Sequence, residues 1–282
     1  MKNKTKMKSK KPRVSLLVTT YNSPRYLELS IRSIFNQRRL PDEILVADDG
    51  SGEETRLLVE ELAAESFVPL RHIWHPDKGF RAGAIRNKAI EAANGDYIIQ
   101  IDGDIILHPS FVGDHMRMAK RGRFVCGSRV IIDEQLTGEI LRTGRIELKP
   151  GEPGLKSSLN GRRLPFLTPF FKRYKASDGA YVRSCNMACW REDLLKVNGY
   201  NEDITGWGRE DSELSWRLIN AGVKKRFLKF GGIEYHLHHN ENAKDRDPRN
   251  IELMEHTRTA RLTWAKNVIF KEGNYAVERL VI

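Results

Sequence analysis

Residues 14–102 alternate between short apolar runs and segments whose apolar residues recur at helical spacing. The apolar runs lie at Val14–Thr20, 44–47, Leu70–Trp74 and 97–101. Short apolar runs predict buried strands, and the segments between them predict amphipathic helices. Repeated strand–helix units favour an α/β fold with a mostly parallel central sheet, right-handed crossovers and flanking helices.

Each of these predicted strands ends in a polar or glycine-containing turn. The four turns are Tyr21-Asn22, Asp48-Asp49, Lys78-Gly79 and Asp102-Gly103-Asp104. The carboxyl ends of parallel strands meet at one edge of a sheet, and ligands bind beyond that edge in folds of this class. The sequence therefore predicts a single ligand site there.

Asp102 and Asp104 are the most informative pair in this predicted site. Side chains alternate along an extended chain, so carboxylates at these two positions point the same way. Gly103 between them lets a ligand or another backbone segment come close. Two adjacent anions repel unless a cation lies between them, so the pair predicts a divalent metal held by oxygen ligands. The alternative is an ordinary acidic turn after a strand.

The regular alternation ends after the fourth strand. A helix is predicted from Pro109 and a strand over 124–132, but 133–180 has scattered glycine and proline without sustained periodicity. Unstructured segments of that length are typically functional lids or lack order. Further helices are predicted at 191–197, 209–221 and 248–266. We expect one domain made of a basic tail 1–13, a first half 14–132, a long loop 133–180 and a second half 181–282.

The charge and the cysteines indicate in which cellular compartment the chain is expected. The chain has a net charge of +11, and its first thirteen residues contain seven lysines or arginines and no acid. Such a tail attracts an anionic membrane surface or simply keeps the chain soluble. No apolar segment follows it, so we expect no secretory signal, and no apolar run is long enough to span a membrane. Three cysteines are an odd, sparse set that suits a reducing compartment.

A second basic segment lies within the long loop. Residues 161–175 place Phe166, Phe170 and Phe171 between basic clusters. Aromatic and basic residues in this arrangement dip into a membrane interface or cover an acceptor. The alternative is an apolar plug that anchors the loop to the core.

Several motifs together resemble a known family. The segments Val-Ser-Leu-Leu-Val-Thr-Thr-Tyr-Asn, Val-Ala-Asp-Asp-Gly-Ser, Ala-Ile-Arg-Asn and Ile-Asp-Gly-Asp resemble the family 2 inverting glycosyltransferases. Residues 197–214 are similar to the acceptor half of β-1,4-galactosyltransferases, polypeptide N-acetylgalactosaminyltransferases and bacterial chondroitin polymerases. The resemblance spans most of residues 13–240 and implies a GT-A fold with a carboxyl-terminal acceptor-binding segment.

The resemblance also implies which residues bind the nucleotide sugar. They are Thr19, Tyr21, Asp48, Asp49, Lys78, Arg81, Arg86, Asn87, Asp102 and Gly103. One of Asp48 and Asp49 is expected to accept a hydrogen bond from uracil or ribose. The alternative for this pair is an Asx turn that stabilises the β–α loop.

Metal and catalytic residues follow from the same resemblance. Asp104 and His236 would bind the metal, with His238 as the alternative ligand. An imidazole beside carboxylates favours Mn²⁺ over Mg²⁺. Asp211 is the expected catalytic base and Glu210 its neighbour that orients the acceptor or donor hydroxyls.

The acceptor sugar is expected to contact Trp207, Gly208 and Asn186. Arg209 stands where many relatives have glycine before the Glu-Asp pair. This departure affects which acceptor is expected more than it affects the expected reaction.

The function implied is a metal-dependent inverting transfer of a hexose or N-acetylhexosamine from a UDP-sugar. The acceptor would be a glycan or a lipid-linked oligosaccharide in bacterial surface polysaccharide synthesis. We expect a cytoplasmic protein, peripheral on the inner membrane through its basic tail and the 161–175 loop, with no nucleic-acid partner. The rival functions are a nucleotidyltransferase and a non-enzymatic basic binder, while the absence of Gly-x-Gly-x-x-Gly after the first strand argues against a dehydrogenase.

Overall fold

The computed structural model describes residues 11–239, 248–266 and 268–269. Its strands are β1 (Val14–Thr20), β2 (Glu43–Asp48), β3 (Leu70–Trp74), β4 (Tyr97–Asp102), β5 (Ile105–Leu107), β6 (Arg123–Gly127), β7 (Arg129–Ile132), β8 (Leu155–Lys156), β9 (Met187–Trp190), β10 (Lys224–Leu228) and β11 (Glu234–His236). Its α-helices are α1 (Pro24–Phe35), α2 (Glu53–Glu65), α3 (Ala82–Ala92), α4 (Phe111–Met118), α5 (Glu134–Thr143), α6 (Thr168–Phe171), α7 (Arg191–Lys196), α8 (Glu210–Asn220) and α9 (Pro248–Thr259). Most of the predicted basic tail 1–13 lies outside the described residues, so its membrane contact stays a prediction.

The central sheet has seven strands in the order β10-β6-β9-β4-β1-β2-β3. Only β9 runs antiparallel to its neighbours, β4 and β6. The predicted α/β class and the mostly parallel sheet are therefore confirmed. Because β10, β6, β4, β1, β2 and β3 all run the same way, their carboxyl ends lie along one edge.

A second, four-stranded sheet has the order β5-β11-β7-β8. The chain enters it directly from the central sheet, since β4 ends at Asp102 and β5 begins at Ile105. Gly103 makes this close passage possible: its N–H donates to the Thr19 carbonyl at 2.7 Å. A Cβ at this position would lie 3.1 Å from the Thr20 hydroxyl, which is tighter than most side chains tolerate. The two carboxylates predicted to bind metal thus lie where the sheets meet.

The predicted strand over 124–132 is wrong as a single element. It divides at Ser128 into β6 of the central sheet and β7 of the second sheet. Gly127, Ser128 and Arg129 interrupt the apolar residues where the strand divides, but such an interruption does not indicate that the two halves join different sheets.

The expectation that 133–180 lacks regular structure is also wrong at its beginning. Helix α5 starts after Asp133, whose side chain caps it by accepting from the Leu136 N–H at 2.9 Å. The side chains of Leu136 and Ile140 are buried on the inner face of this helix. The last predicted helix, 248–266, ends earlier at Thr259.

The core lies on both faces of the central sheet. Leu16 and Val18 of β1 pack with α1 and α2 on one face, while Leu17 packs with α3 and α8 on the other. Each fully buried aliphatic side chain contributes about 1.5–3 kcal/mol of burial free energy. Cys126, Cys185 and Cys189 are buried free thiols. Among the described residues, no helix is long and apolar enough to cross a bilayer.

A buried ion pair fixes α8 against its surroundings. Arg217 is completely buried and binds both carboxylate oxygens of Glu213. Its remaining nitrogen donates to the carbonyls of Val197 and Gly199 at 2.6 and 2.7 Å. Glu213 also accepts from the Thr257 hydroxyl of α9 at 2.9 Å, so the pair joins three segments.

We expect Arg217→Leu to lower the free energy of unfolding by about 3–5 kcal/mol, because it leaves Glu213 charged and unpaired in the core. Urea titration followed by circular dichroism measures this loss. The matched control is Arg258→Leu in α9, whose partner Glu255 is exposed and whose loss should cost less than about 1 kcal/mol. Equal losses in the two variants would contradict the role of the buried pair.

Candidate active site

The carboxyl edge of the central sheet brings together most of the predicted site residues. Thr19 and Tyr21 lie at the end of β1, Asp48 and Asp49 at the end of β2, and Asp102 at the end of β4. The amino end of α3, which carries Arg86, faces the same edge through its contacts with Thr19 and Asp102. The exposed Lys78 and the half-buried Arg81 lie in the turn between β3 and α3.

The Asp48-Asp49 turn is buried and its carboxylates bind the protein itself. Asp48 accepts from the backbone N–H groups of Gly50 and Ser51, which is the Asx turn given as the alternative. His72 Nε2 lies 2.8 Å from its other oxygen. Burial disfavours the Asp48 anion, but the hydrogen bonds from His72 and Ser51 outweigh it and hold its pKa below the ordinary value.

Asp49 connects β2 to the turn before α3. It lies 2.6 Å from His75 Nε2 and accepts from the Arg81 N–H at 2.7 Å. Neither His72 nor His75 was predicted from the sequence as a site residue. The signal that could have found them is their position: His72 lies in β3 and His75 directly after it, beside the acidic turn that ends the neighbouring strand β2.

Arg86 is the centre of the site. It is 4% exposed, and three of its nitrogens donate to Thr19 Oγ1 at 3.0 Å, Asp102 Oδ1 at 2.9 Å and Glu210 Oε1 at 3.1 Å. One guanidinium therefore joins β1, β4 and α8. These contacts make Arg86 the group that holds the Asp102 and Glu210 carboxylates beside each other.

Two other predicted residues bind the protein framework. The amide of Asn87 donates to the Tyr200 carbonyl and to Glu202, each at 2.9 Å, and accepts from the Tyr200 N–H at 2.7 Å. It thereby ties α3 to the loop before α8. Tyr21 is half exposed and its hydroxyl donates to Asp77 at 2.9 Å.

The prediction that Asn186 contacts the acceptor is wrong. Its side chain is 0% exposed and donates to the carbonyls of Ser128 and Gly232. Its oxygen lies 2.9 Å from His115 Nε2. An amide enclosed in this way holds the β6–β7 junction to the second sheet and cannot touch a glycan.

A candidate metal centre consists of Asp104, His236 and His239, whose ligand atoms all lie within 4.8 Å of one another. Asp104 Oδ2 is 3.4 Å from His236 Nε2 and 3.0 Å from His239 Nε2. Asp104 Oδ1 is buried and has no hydrogen-bond partner. Burial opposes ionisation here, but the hydrogen bond to His239 and the charge of His236 hold the pKa of Asp104 below its ordinary value. One carboxylate and two imidazoles suit Mn²⁺ and similar divalent ions.

His238, the alternative metal ligand, is not part of this cluster. Its N–H donates to Thr137 Oγ1 at 2.9 Å and its carbonyl accepts from Tyr26 at 3.1 Å. Strand β11 ends at His236, so the alternation that would place 236 and 238 on one face no longer applies. The chain turns instead and brings His239 to Asp104.

Glu210 and Asp211 begin α8, and Glu210 contacts Arg86. Asp211 accepts from the N–H groups of Ser184 at 3.3 Å and Ser212 at 2.6 Å. Burial, and then the neighbouring charge of Glu210, raise the pKa of Asp211 to about 7. Burial also raises the pKa of Asp102, with Asp104 and Glu210 adding to the effect and Arg86 opposing it.

The turn before α8 has an unusual backbone. Gly206, Gly208 and Arg209 all have positive φ, of 72°, 98° and 78°. Asn250 of α9 holds the turn by donating to the carbonyls of Thr205 at 2.8 Å and Gly208 at 3.3 Å. Trp207 is 45% exposed, so its indole face is open to a sugar ring.

This architecture defines the class of protein. A mostly parallel sheet flanked by helices, with an acidic pair and candidate metal ligands at its carboxyl edge, is that of a GT-A glycosyltransferase. Residues 15–189 match the model of glycosyl transferase family 2, and the chain belongs to that family. Residues 168–240 match the model described as the N-terminal domain of galactosyltransferase.

The curated relatives are polysaccharide synthases of greater length. The chain is 27% identical to a chondroitin synthase of Escherichia coli over 238 residues, which is 79% of this chain and 34% of that protein. It is 28% identical to a hyaluronan synthase of Pasteurella multocida over 258 residues, 85% of this chain and 26% of that protein. The chain therefore spans about a third or less of the length of these relatives.

A solved structure shares the fold. TarS residues 1–349 from S. aureus, in complex with UDP-GlcNAc, superimpose with a TM-score of 0.61 and 15% identity, covering 86% of this chain and 64% of that one. At this identity the likeness concerns the fold alone.

We expect Arg209→Gly to raise the free energy of unfolding by about 0.5–1 kcal/mol, because glycine adopts a positive φ without steric cost. Chemical denaturation measures the gain. Arg209→Ala removes the same side chain but keeps the backbone cost, so it should give no gain. If the two variants were equally stable, the backbone would not be strained at this position.

Proposed function

We propose that this chain is a metal-dependent inverting glycosyltransferase that takes a hexose or N-acetylhexosamine from a UDP-sugar. The acceptor is a hydroxyl of a glycan or lipid-linked oligosaccharide in bacterial surface polysaccharide synthesis. The observation that carries this proposal is the Arg86 bridge between Asp102 and Glu210. Through it, Asp102, which lies two residues before the candidate metal ligand Asp104, shares one guanidinium with Glu210, which precedes the candidate base, although more than a hundred residues separate the two in the sequence.

Asp104, His236 and His239 are the residues that would hold the metal. When bound there, a divalent cation would neutralise charge on the nucleoside diphosphate leaving group. The buried Asp104 oxygen without a partner supports this assignment, since such an atom is costly unless it binds something.

Asp211 would take the proton of the acceptor hydroxyl. A carboxylate whose pKa is raised towards neutrality is a stronger base than an exposed one and is still largely ionised above that pH. The Ser184 and Ser212 N–H groups hold its orientation. A base opposite the leaving group implies a single displacement with inversion at the anomeric carbon.

The relatives and the site support the proposed donor and acceptor. The synthases named above make chondroitin and hyaluronan, and the TarS structure contains UDP-GlcNAc, which together favour a UDP-sugar and a glycan acceptor. The exposed Trp207 face would stack on the acceptor ring. A cytoplasmic location on the inner membrane suits a lipid-linked acceptor.

Incubation with a panel of UDP-sugars tests the proposal against a nucleotidyltransferase. A glycosyltransferase releases UDP, whereas a nucleotidyltransferase releases inorganic diphosphate.

We expect Asp211→Asn to lower kcat by about 10²–10⁴-fold, the usual contribution of a general base. In the unaltered chain, kcat/KM should rise with pH through the raised pKa of Asp211, about 7, and then level off, because only the carboxylate accepts a proton. The variant should lose this rise while its affinity for UDP stays unchanged.

The control for this experiment is Asp203→Asn, which removes an exposed carboxylate in the loop before α8. It should keep both the rate and the pH profile. Normal transfer by Asp211→Asn to a true acceptor would refute the assignment of the base.

We expect His239→Ala to raise the Mn²⁺ concentration needed for half-maximal activity by roughly tenfold or more, since one of three ligands is lost. His238→Ala is the matched control and should leave it unchanged. Calorimetric titration of Mn²⁺ into each protein measures the same difference without turnover. A larger effect at His238 would restore that residue as the ligand.

A further inference from the structure

An exposed aromatic and basic surface lies outside the pocket, on the segment 161–175. Phe166 is 69% exposed and Phe170 is 80% exposed. The segment contains five lysines or arginines and no acid. Arg162, Lys172, Arg173 and Lys175 are exposed around the two rings. We call these six residues the aromatic–basic face.

The body of the protein holds this segment in place through its backbone and its inner side chains. The Leu164 N–H donates to the Phe230 carbonyl at 3.0 Å, and the Thr168 hydroxyl donates to the Lys229 carbonyl at 2.8 Å. Arg163 makes two hydrogen bonds to the buried Asp114, at 3.0 and 2.8 Å. The exposure of the face therefore belongs to a fixed arrangement.

The interpretation of the segment as an apolar plug accounts for only one of its phenylalanines. Phe171 packs edge-on against Phe230, with ring centroids 5.4 Å apart. Phe166 and Phe170 remain mostly outside the core. Large apolar side chains grouped at a surface and flanked by one sign of charge mark an interaction site.

We propose that the aromatic–basic face binds the surface of an anionic lipid bilayer. Phe166 and Phe170 enter the boundary between headgroups and acyl chains, and the four cations pair with anionic headgroups. Charge complementarity selects this partner, because the face contains four cations and no acid; just outside it, Asp178 lies 4.0 Å from Lys175.

The position of the face suits this partner. Its anchor residues Lys229 and Phe230 directly follow β10, which runs parallel to β6. The face is thus attached at the same sheet edge as Asp102 and Arg86. A bilayer bound there would lie on the side of the pocket, where a lipid-linked acceptor would be presented. That last consequence rests on the proposed function, whereas membrane binding does not.

Co-sedimentation of the full chain with vesicles tests the proposal. We expect binding to phosphatidylcholine vesicles containing about a third phosphatidylglycerol, and much weaker binding to phosphatidylcholine alone. The double variant Phe166→Ser/Phe170→Ser should lower the partition coefficient by about tenfold or more, since two aromatic anchors are lost. Lys172→Gln/Arg173→Gln should weaken binding and reduce its salt dependence.

Phe67→Ser is the matched aromatic control, because Phe67 is 81% exposed in the loop before β3, at the opposite edge of the sheet. It should bind vesicles like the unaltered chain. Unchanged binding by the Phe166/Phe170 variant, or an equal loss in the Phe67 variant, would overturn the proposal. If the Phe166/Phe170 variant kept a normal partition coefficient but had a raised KM for a soluble acceptor, the face would be an acceptor site and the proposal would be wrong. The proposal would also be wrong if the unaltered chain formed a dimer in solution that only this variant dissociated. Sugar transfer to a soluble acceptor, measured in parallel, reports on the proposed function separately.

Discussion

The site depends on one buried guanidinium. Arg86 lies among Thr19, Asp102 and Glu210, and without it the Asp102 and Glu210 carboxylates would lack the cation that both contact. Carboxylates brought together in this way repel and become protonated. Arg86 therefore joins β1 and β4 to α8 and favours the charged form of the carboxylates beside it. Removing one partner of such a buried cluster is costly, since the remaining charges have no access to water.

The junction between the two sheets brings the candidate metal ligands together. The chain crosses from β4 to β5 in the span of Gly103 and Asp104, which puts the Asp104 carboxylate beside β11 of the second sheet. His236 ends that strand and His239 lies in the turn after it. The second sheet is thus more than a cover for the core, because it supplies the imidazoles that complete a centre begun by the first sheet.

Much of this could be predicted from local patterns. The first four strands, their three helices and the polar turns at one sheet edge follow from apolar periodicity and from turn chemistry, which act over a few residues. Asn186 was misassigned because its burial is set by distant segments. His239 was missed, and His238 was given as the alternative ligand to His236, because the end of β11 breaks the alternation of side chains after His236. The division of 124–132 between two sheets also depends on distant segments, because a short apolar strand on either side of Gly127-Ser128-Arg129 could pair in either sheet.

The sequence by itself determined the α/β order, the acidic turns and the family motifs, because each depends on residues close together in the chain. Only the tertiary structure decided that His239 faces Asp104, that Arg86 joins both halves, and that Asp211 is buried enough to have a raised pKa. These are properties of spacing and solvent exclusion between segments far apart in sequence, and no local pattern encodes them. At Arg209 the sequence and the tertiary structure both contribute. The sequence has arginine where a positive φ favours glycine, and the contact of α9 with the turn keeps the backbone in that conformation.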